Sequence, residues 1–349
     1  MMRQTLRMEL GLHLGYWMAQ PPAGAPAQIA EAENLGFDSI WTAEAYGSDV
    51  LTPLAWWGAS TSRLRLGTDL MQLSARTPTA AAMAALTMDH LSGGRFVLGL
   101  GVSGPQVVEG WYGQSFAKPL ARTREYVEII RKVLAREGPV TFEGEHYPLP
   151  RPGGTGLGKA LKSTVHPLRA DLPIVLGAEG PKNVALAAEI ADGWFPIYYS
   201  PKKDAELYAP SLDEGFARTG ARRTAEDFEV IAMVPVVVHD DVEVAADSMR
   251  STLALYVGGM GAREANFHFD VFCRMGYEAE ATKIQDLYLE GRKDEAAAVV
   301  PTAMVEEIAL VGPRDKISDD LEVWKASRVT TMLVNGSPQV LQMMAELVL

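Results

Sequence analysis

The sequence predicts an α/β protein whose strands close into a (β/α)8 barrel, and three observations carry that reading. Short apolar runs alternate with segments of helical periodicity along most of the chain. Eight such runs can be counted, and nearly all are followed by a helix rather than a hairpin turn, so the strands run parallel. A chain of 349 residues exceeds an average domain but suits one barrel with insertions, so residues 1–349 read as a single domain with insertion loops near 138–171 and 241–310.

The predicted strands cover residues 10–14, 39–42, 64–70, 96–100, 173–177, 193–197, 228–238 and 329–334. Only the seventh is interrupted, by Pro235, which suggests an edge or a bulge. Helices are expected over 26–35, 53–60, 78–91, 120–136, 182–190 and 338–349. The third carries its own punctuation, with Thr77 as cap, Pro78 in the first turn and Ser92-Gly93-Gly94 at the end. In the helix over 120–136, Val127, Ile130 and Leu134 share a face. Residues 138–171, rich in Gly and Pro, read as a lid or a surface excursion. Residues 241–310 read as mostly helical, with a turn-rich break at Gly258-Gly259-Met260-Gly261.

Composition narrows the functional classes. Apolar residues at 48% and charged residues at 22% are ordinary for a globular α/β protein. With a net charge of −12 and no dense basic run, nucleic acid is not an expected partner. The lone Cys273 excludes an internal disulfide and a thiolate cluster, which fits a reducing compartment. The six His residues show no metal-ligand spacing, so no metal is expected. The N-terminal residues MMRQTLRMELGLHLGYW are broken by charges before any apolar stretch of signal length, and no window approaches the ~20 apolar residues of a membrane helix. A cytoplasmic protein without membrane contact is the expectation.

Two phosphate motifs read as decoys. Gly99, Gly101 and Gly104 fit G-x-G-x-x-G after a strand, but three βα units precede them, and Glu125, at the distance of the ribose-binding acid, falls in a helix. The plainer reading is that these glycines turn the chain at the sheet rim. GGTGLGK over 153–159 is followed by Ala160 where a magnesium-binding hydroxyl belongs, and is preceded by YPLPRP rather than a buried strand.

In a barrel the chemistry sits at the carboxyl ends of the strands. That selects residues 13–17, 44–46, 69–76, 101–103 and 177–181, the last opening directly into a helix whose backbone N–H groups suit a phosphate. No Ser-His-Asp or paired-carboxylate arrangement stands out, so an organic cofactor is the expected source of chemistry.

The run RLRLGTDLMQLSARTPTAAAMAALTMDHLSGGRFVLGLGVSGPQVVEGWYG, with GFDSIWTAEAYGSD upstream and PIVLGAEGPKNVALAAEIADGWFP downstream, resembles the bacterial luciferase-like superfamily, and within it the F420-dependent oxidoreductases of actinobacterial type. The resemblance implies a TIM barrel, a deazaflavin at its carboxyl-terminal mouth, hydride transfer at the cofactor's C5 and a homodimer. It implies that Glu44 meets the deazaflavin and tunes or relays its proton, and that a backbone bulge at Asp69 and Leu70, often with a non-proline cis peptide, supports the ring. Gly101, Val102 and Ser103 would line the cofactor side chain, and Gly177, Ala178, Glu179 and Gly180 would take its phosphate. Glu109, a second catalytic candidate, stands with Trp111 and Tyr112 on the substrate side, as do His13 and Tyr16. Relatives that oxidise alcohols or sugar phosphates carry a His where this chain has Ala45, and the sugar-phosphate oxidisers a Glu where it has Gly104. Reduction of an activated C=C or C=O in a small molecule is therefore the expected reaction. The alternatives are an FMN-dependent monooxygenase on the same barrel, a non-catalytic F420-binding protein and, from the glycine motif, an NAD-dependent dehydrogenase on an open sheet.

Overall fold

The computed structural model describes residues 8–349. Its strands are β1 (Glu9–His13), β2 (Ser39–Thr42), β3 (Arg65–Thr68), β4 (Met71–Gln72), β5 (Phe96–Gly101), β6 (Ile174–Gly177), β7 (Gly193–Phe195), β8 (Glu229–Met233), β9 (Val236–Val238), β10 (Leu310–Gly312) and β11 (Thr331–Val334). The hydrogen-bonded order β3-β2-β1-β11-β8-β7-β6-β5 is parallel throughout, and β3 pairs again with β5, so the barrel closes on eight strands. An open dinucleotide-binding sheet is excluded. β4 continues β3 beyond a bulge and pairs with β5.

Closure requires an interior just wide enough for side chains to fill. Trp41, Val97, Val175, Phe195, Ile231 and Leu333 fill it. The largest of them fits because β3 carries Gly67, where an added Cβ would lie 2.3 Å from the indole of Trp41. Helices pack outside, and the third begins and ends as its punctuation foretold: Thr77 Oγ1 accepts from the Ala80 N–H, and Gly93 takes the left-handed conformation.

One expectation is corrected and two are made more definite. The run 228–238 is not one strand: β8 stays in the barrel, while β9 leaves it to pair with β10, a strand unread in the sequence. Pro235, which has no N–H to give a ladder, stands between them, and its carbonyl accepts from Leu310 N at 2.9 Å. The break expected at 258–261 falls two residues later: Gly258 and Gly259 are the last residues of the helix Val242–Gly259, and irregular chain follows from Met260 to Asn266. A Cβ at either would come within 2.4 Å of Tyr288, so both glycines let the helix Glu278–Leu289 approach closely. With Phe267–Arg274 and Lys293–Ala298, these helices enclose a second core around Leu253, Phe272, Met275 and Ile284. Finally, residues 138–171 form a pinned surface excursion rather than a free lid. Glu125 accepts from three successive backbone N–H groups at Glu145, His146 and Tyr147, and Arg169 pairs with Asp89 at 2.8 Å.

Several buried tyrosines couple the fold to alkaline pH. Burial, reinforced by Glu307, pushes Tyr277 up to about 12, and burial likewise raises Tyr126, Tyr199, Tyr208 and Tyr256. A phenol whose folded pKa is raised contributes fully below its unfolded value of about 10, and that contribution is lost as pH climbs toward the folded value. Urea unfolding midpoints are therefore expected to be flat near pH 8 to 9 and to fall steeply above about pH 10. A midpoint unchanged at pH 11 would contradict the burial of these phenols.

Candidate active site

The carboxyl ends of the barrel strands form one mouth, and its floor is the bulge between β3 and β4. The Asp69–Leu70 peptide is cis, as the resemblance implied. The Thr68 hydroxyl accepts from Gly99 N and donates to Gly99 O, both at 2.8 Å, tying the bulge to β5. A Cβ at Gly99 would lie 1.9 Å from the Thr68 carbonyl oxygen. Beyond it, a Cβ at Gly101 or Gly177 would meet the Leu70 side chain at 3.0 or 2.0 Å. Gly99 and Gly101 therefore do not turn the chain at the rim; they lie within β5 and, with Gly177, admit the bulge and its leucine.

Asp69, whose side chain is 0% exposed, meets the Nε2 of His13 at 3.0 Å. Burial pushes the Asp69 carboxyl up, against the opposing pull of His13. His13 Nδ1 is buried without a partner.

Glu44 is held more tightly than a residue at a lip. Its carboxylate accepts from Val50 N at 3.3 Å, from Gln72 N at 2.9 Å and twice from Arg76 Nη1, at 2.9 and 3.0 Å. Those four bonds use both lone-pair positions of both oxygens, and the side chain is 3% exposed. The arrangement makes Glu44 a brace that joins the loop after β2 to the bulge. Tyr112 lies close enough for Glu44 and burial to raise its pKa.

The loop after β5 is drawn across the mouth. Ser103 takes a left-handed φ of 59°, and the short helix Pro105–Gly110 follows. Glu109, exposed on that helix, accepts from Phe116 N at 3.2 Å, and Phe116 stacks loosely on Phe267 with ring centroids 6.3 Å apart. Trp111 is 65% exposed. Beneath this loop a cavity of about 240 Å³ is lined by Val102, Ser74, Arg76, Arg122, Phe116 and Tyr147.

On the other side, Gly177, Ala178, Glu179 and Gly180 lead from β6 into the helix Pro181–Ile190, which no side chain caps. Glu179 is held by partners of its own. Its Oε1 lies 2.8 Å from His268 Nδ1, its Oε2 is buried without a partner, and its carbonyl accepts from Arg274 Nη2 at 2.9 Å. His268 packs edge-on against Tyr198 and Tyr256, at 5.8 and 5.0 Å, and Tyr256 is hydrogen-bonded to Tyr16. Sequence reasoning reached Tyr16 and Glu179 but missed His268, Tyr198 and Tyr256. Among the described residues no group of three His, Cys, Asp or Glu stands together as a metal site, and no helix is long and apolar enough to cross a membrane.

A closed parallel barrel with a buried bulge after its third strand defines a protein of the (β/α)8 class, whose sites lie at the carboxyl ends of the strands. Residues 8–331 match the luciferase-like monooxygenase family, and the chain belongs to it. It is 61% identical over 344 residues, 98% of this chain and 99% of the relative, to a Mycobacterium tuberculosis protein named as a coenzyme F420-dependent oxidoreductase. It is 31% identical to the 5,10-methylenetetrahydromethanopterin reductase of Archaeoglobus fulgidus, over 88% of this chain and 87% of that one. Among solved structures, the F420-dependent tetrahydromethanopterin reductase of Methanopyrus kandleri superposes with a TM-score of 0.78 at 23% identity, covering 98% of both chains.

Proposed function

We infer that this protein is an F420-dependent oxidoreductase that reduces an activated C=C or C=O bond in a small organic molecule. The observation that carries the reading is the prepared floor of the mouth: Leu70 lies on the bulge between Gly101 and Gly177, where a larger residue at either glycine would displace it. A flat ring needs such an apolar support, and a relative aligned over 98% of the chain is named for F420. The residues fit the group. Leu70 would support the deazaflavin from behind, Gly101, Val102 and Ser103 would follow its side chain, and the turn Gly177, Ala178, Glu179 and Gly180 at an uncapped helix start would take its phosphate, with the Ala178 N–H already given to the Phe195 carbonyl. When bound, the reduced deazaflavin supplies a hydride from C5.

The chain's own residues exclude water and set polarity. His13 and Asp69 form a buried polar pair beside the floor, while Glu44 and Arg76 fix the loop on which the bulge rests. Trp111, Tyr112 and Tyr16 stand on the substrate side, and Glu109 holds the loop that carries the first two. Ala45 provides no base for alcohol oxidation, which favours reduction. A homodimer in the cytoplasm accords with this reading.

Titration followed by intrinsic tryptophan fluorescence should show tighter binding of F420 than of FMN or NADP. Tighter binding of FMN would overturn the cofactor assignment in favour of the oxygen-using alternative. Oxidation of reduced F420 by 2-cyclohexen-1-one distinguishes an enzyme from a protein that only stores the coenzyme.

A further inference from the structure

We propose that His268, held by Glu179, is the proton donor on the substrate side of the mouth; this rests on the reductase reading and supplies the half of the reaction that a hydride leaves open. Delivery of hydride to one end of an activated double bond leaves the other end electron-rich, and a proton must follow. His13 is turned into a buried pair with Asp69, and all four acceptor positions of Glu44 are engaged. Glu109 is tied to Phe116 N. The remaining imidazole at the mouth is that of His268.

Its setting is that of an oriented acid. A carboxylate can only accept, so the 2.8 Å contact to Glu179 Oε1 fixes the proton of Nδ1 there and leaves Nε2, which makes no hydrogen bond among the described residues, for other chemistry. The pair joins two distant parts of the chain: Glu179 follows β6, and His268 stands in the first turn of Phe267–Arg274, within the excursion between β9 and β10. Tyr198, which follows β7, and Tyr256 hold the ring edge-on, and Tyr256 links it to Tyr16 after β1. Phe267, the preceding residue, meets Phe116 of the loop drawn over the mouth. Loops from the carboxyl ends of β6 and β7 thus touch the ring, and those after β1 and β5 reach its neighbours Tyr256 and Phe267. The groups that face it are Glu179, Tyr198 and Tyr256, with Arg274 of its own helix engaged on the Glu179 carbonyl.

In the step assigned to it, the Nε2–H bond of the imidazolium breaks and its proton joins the electron-rich carbon or oxygen. Neutral imidazole is then reprotonated from water. Glu179 is a positioning residue: it keeps the ring in one orientation, with the Nδ1 proton toward its Oε1.

The test uses the whole protein loaded with reduced F420 and mixed with 2-cyclohexen-1-one in single turnover. His268→Ala should slow oxidation of F420 by about a hundredfold, the scale of a lost general acid, with F420 affinity unchanged. Added imidazole should restore part of the rate, which a merely structural role would not allow. Glu179→Gln should slow turnover less, and the double variant no more than His268→Ala alone, since the two act as a unit. In the F420-loaded wild type, adding the enone should shift the His268 ring resonances. Wild-type turnover in His268→Ala, an equal loss of F420 affinity and rate, no rescue by imidazole, or unmoved ring resonances would each overturn the proposal. Failure of the reductase reading looks different: the wild type itself would leave F420 unbound or reduced F420 unoxidised, and the proposal would fall with it.

Discussion

Gly99→Ala should destabilise the protein by about 3 kcal/mol, near the upper end of what overpacking costs, because no side chain can move to make room. The new methyl would stand 1.9 Å from the Thr68 carbonyl oxygen, a backbone atom already fixed by the exchange of hydrogen bonds between Thr68 and Gly99. Gly177→Ala makes the informative contrast. Its methyl would meet a terminal methyl of Leu70 at 2.0 Å, which can rotate aside, so the fold should survive while the floor of the mouth is displaced. Urea denaturation and F420 titration of both variants check the pair. The first should lose stability above all, and the second affinity. A Gly99→Ala protein as stable as the wild type would show that the bulge does not press on β5 as described.

Glu44→Gln should be almost as damaging as Glu44→Ala, and each should cost about 3 kcal/mol, the lower end of the range for breaking a buried ion pair. The lower end applies because Arg76, 20% exposed, keeps a contact with Asp49 at 3.4 Å. Glutamine matches the shape of glutamate but presents an NH2 group where Arg76 and the Gln72 N–H both need an acceptor. A residue whose task was to relay a proton would behave otherwise: its glutamine variant would fold normally and lose a limb of the pH–rate profile. Thermal melting together with turnover separates the two cases. A Glu44→Gln variant that melts with the wild type would return Glu44 to the chemistry.

These two residues also show why some of the molecule could be read from its sequence and some could not. The eight barrel strands were legible because each is a short apolar run bounded by Gly, Pro or a helix cap, and such signals are local. The bulge at Asp69 and Leu70 was legible only through the resemblance. The burial of Glu44 was not, because its partners Gln72 and Arg76 lie about thirty residues away and nothing near Glu44 announces them. His268 was invisible for the same reason: a single histidine in a helical stretch carries no signal until the fold brings Glu179, 89 residues distant, to its side. Gly258 and Gly259 carried only part of their meaning in the sequence. Two adjacent glycines mark a turn by local rules, and one does follow them, but they also serve the approach of a neighbouring helix.

The pairing of β9 with β10 has a consequence for how such a protein can diversify. Val236 lies opposite Leu310, and Val238 opposite Gly312, so the chain leaves the barrel and returns at neighbouring points. Everything between is a helical annex with its own apolar interior. An annex whose two ends are held side by side can be lengthened, trimmed or exchanged without stretching the strands that carry the bulge. The annex can therefore drift from one descendant to the next while the floor of the barrel mouth is inherited intact.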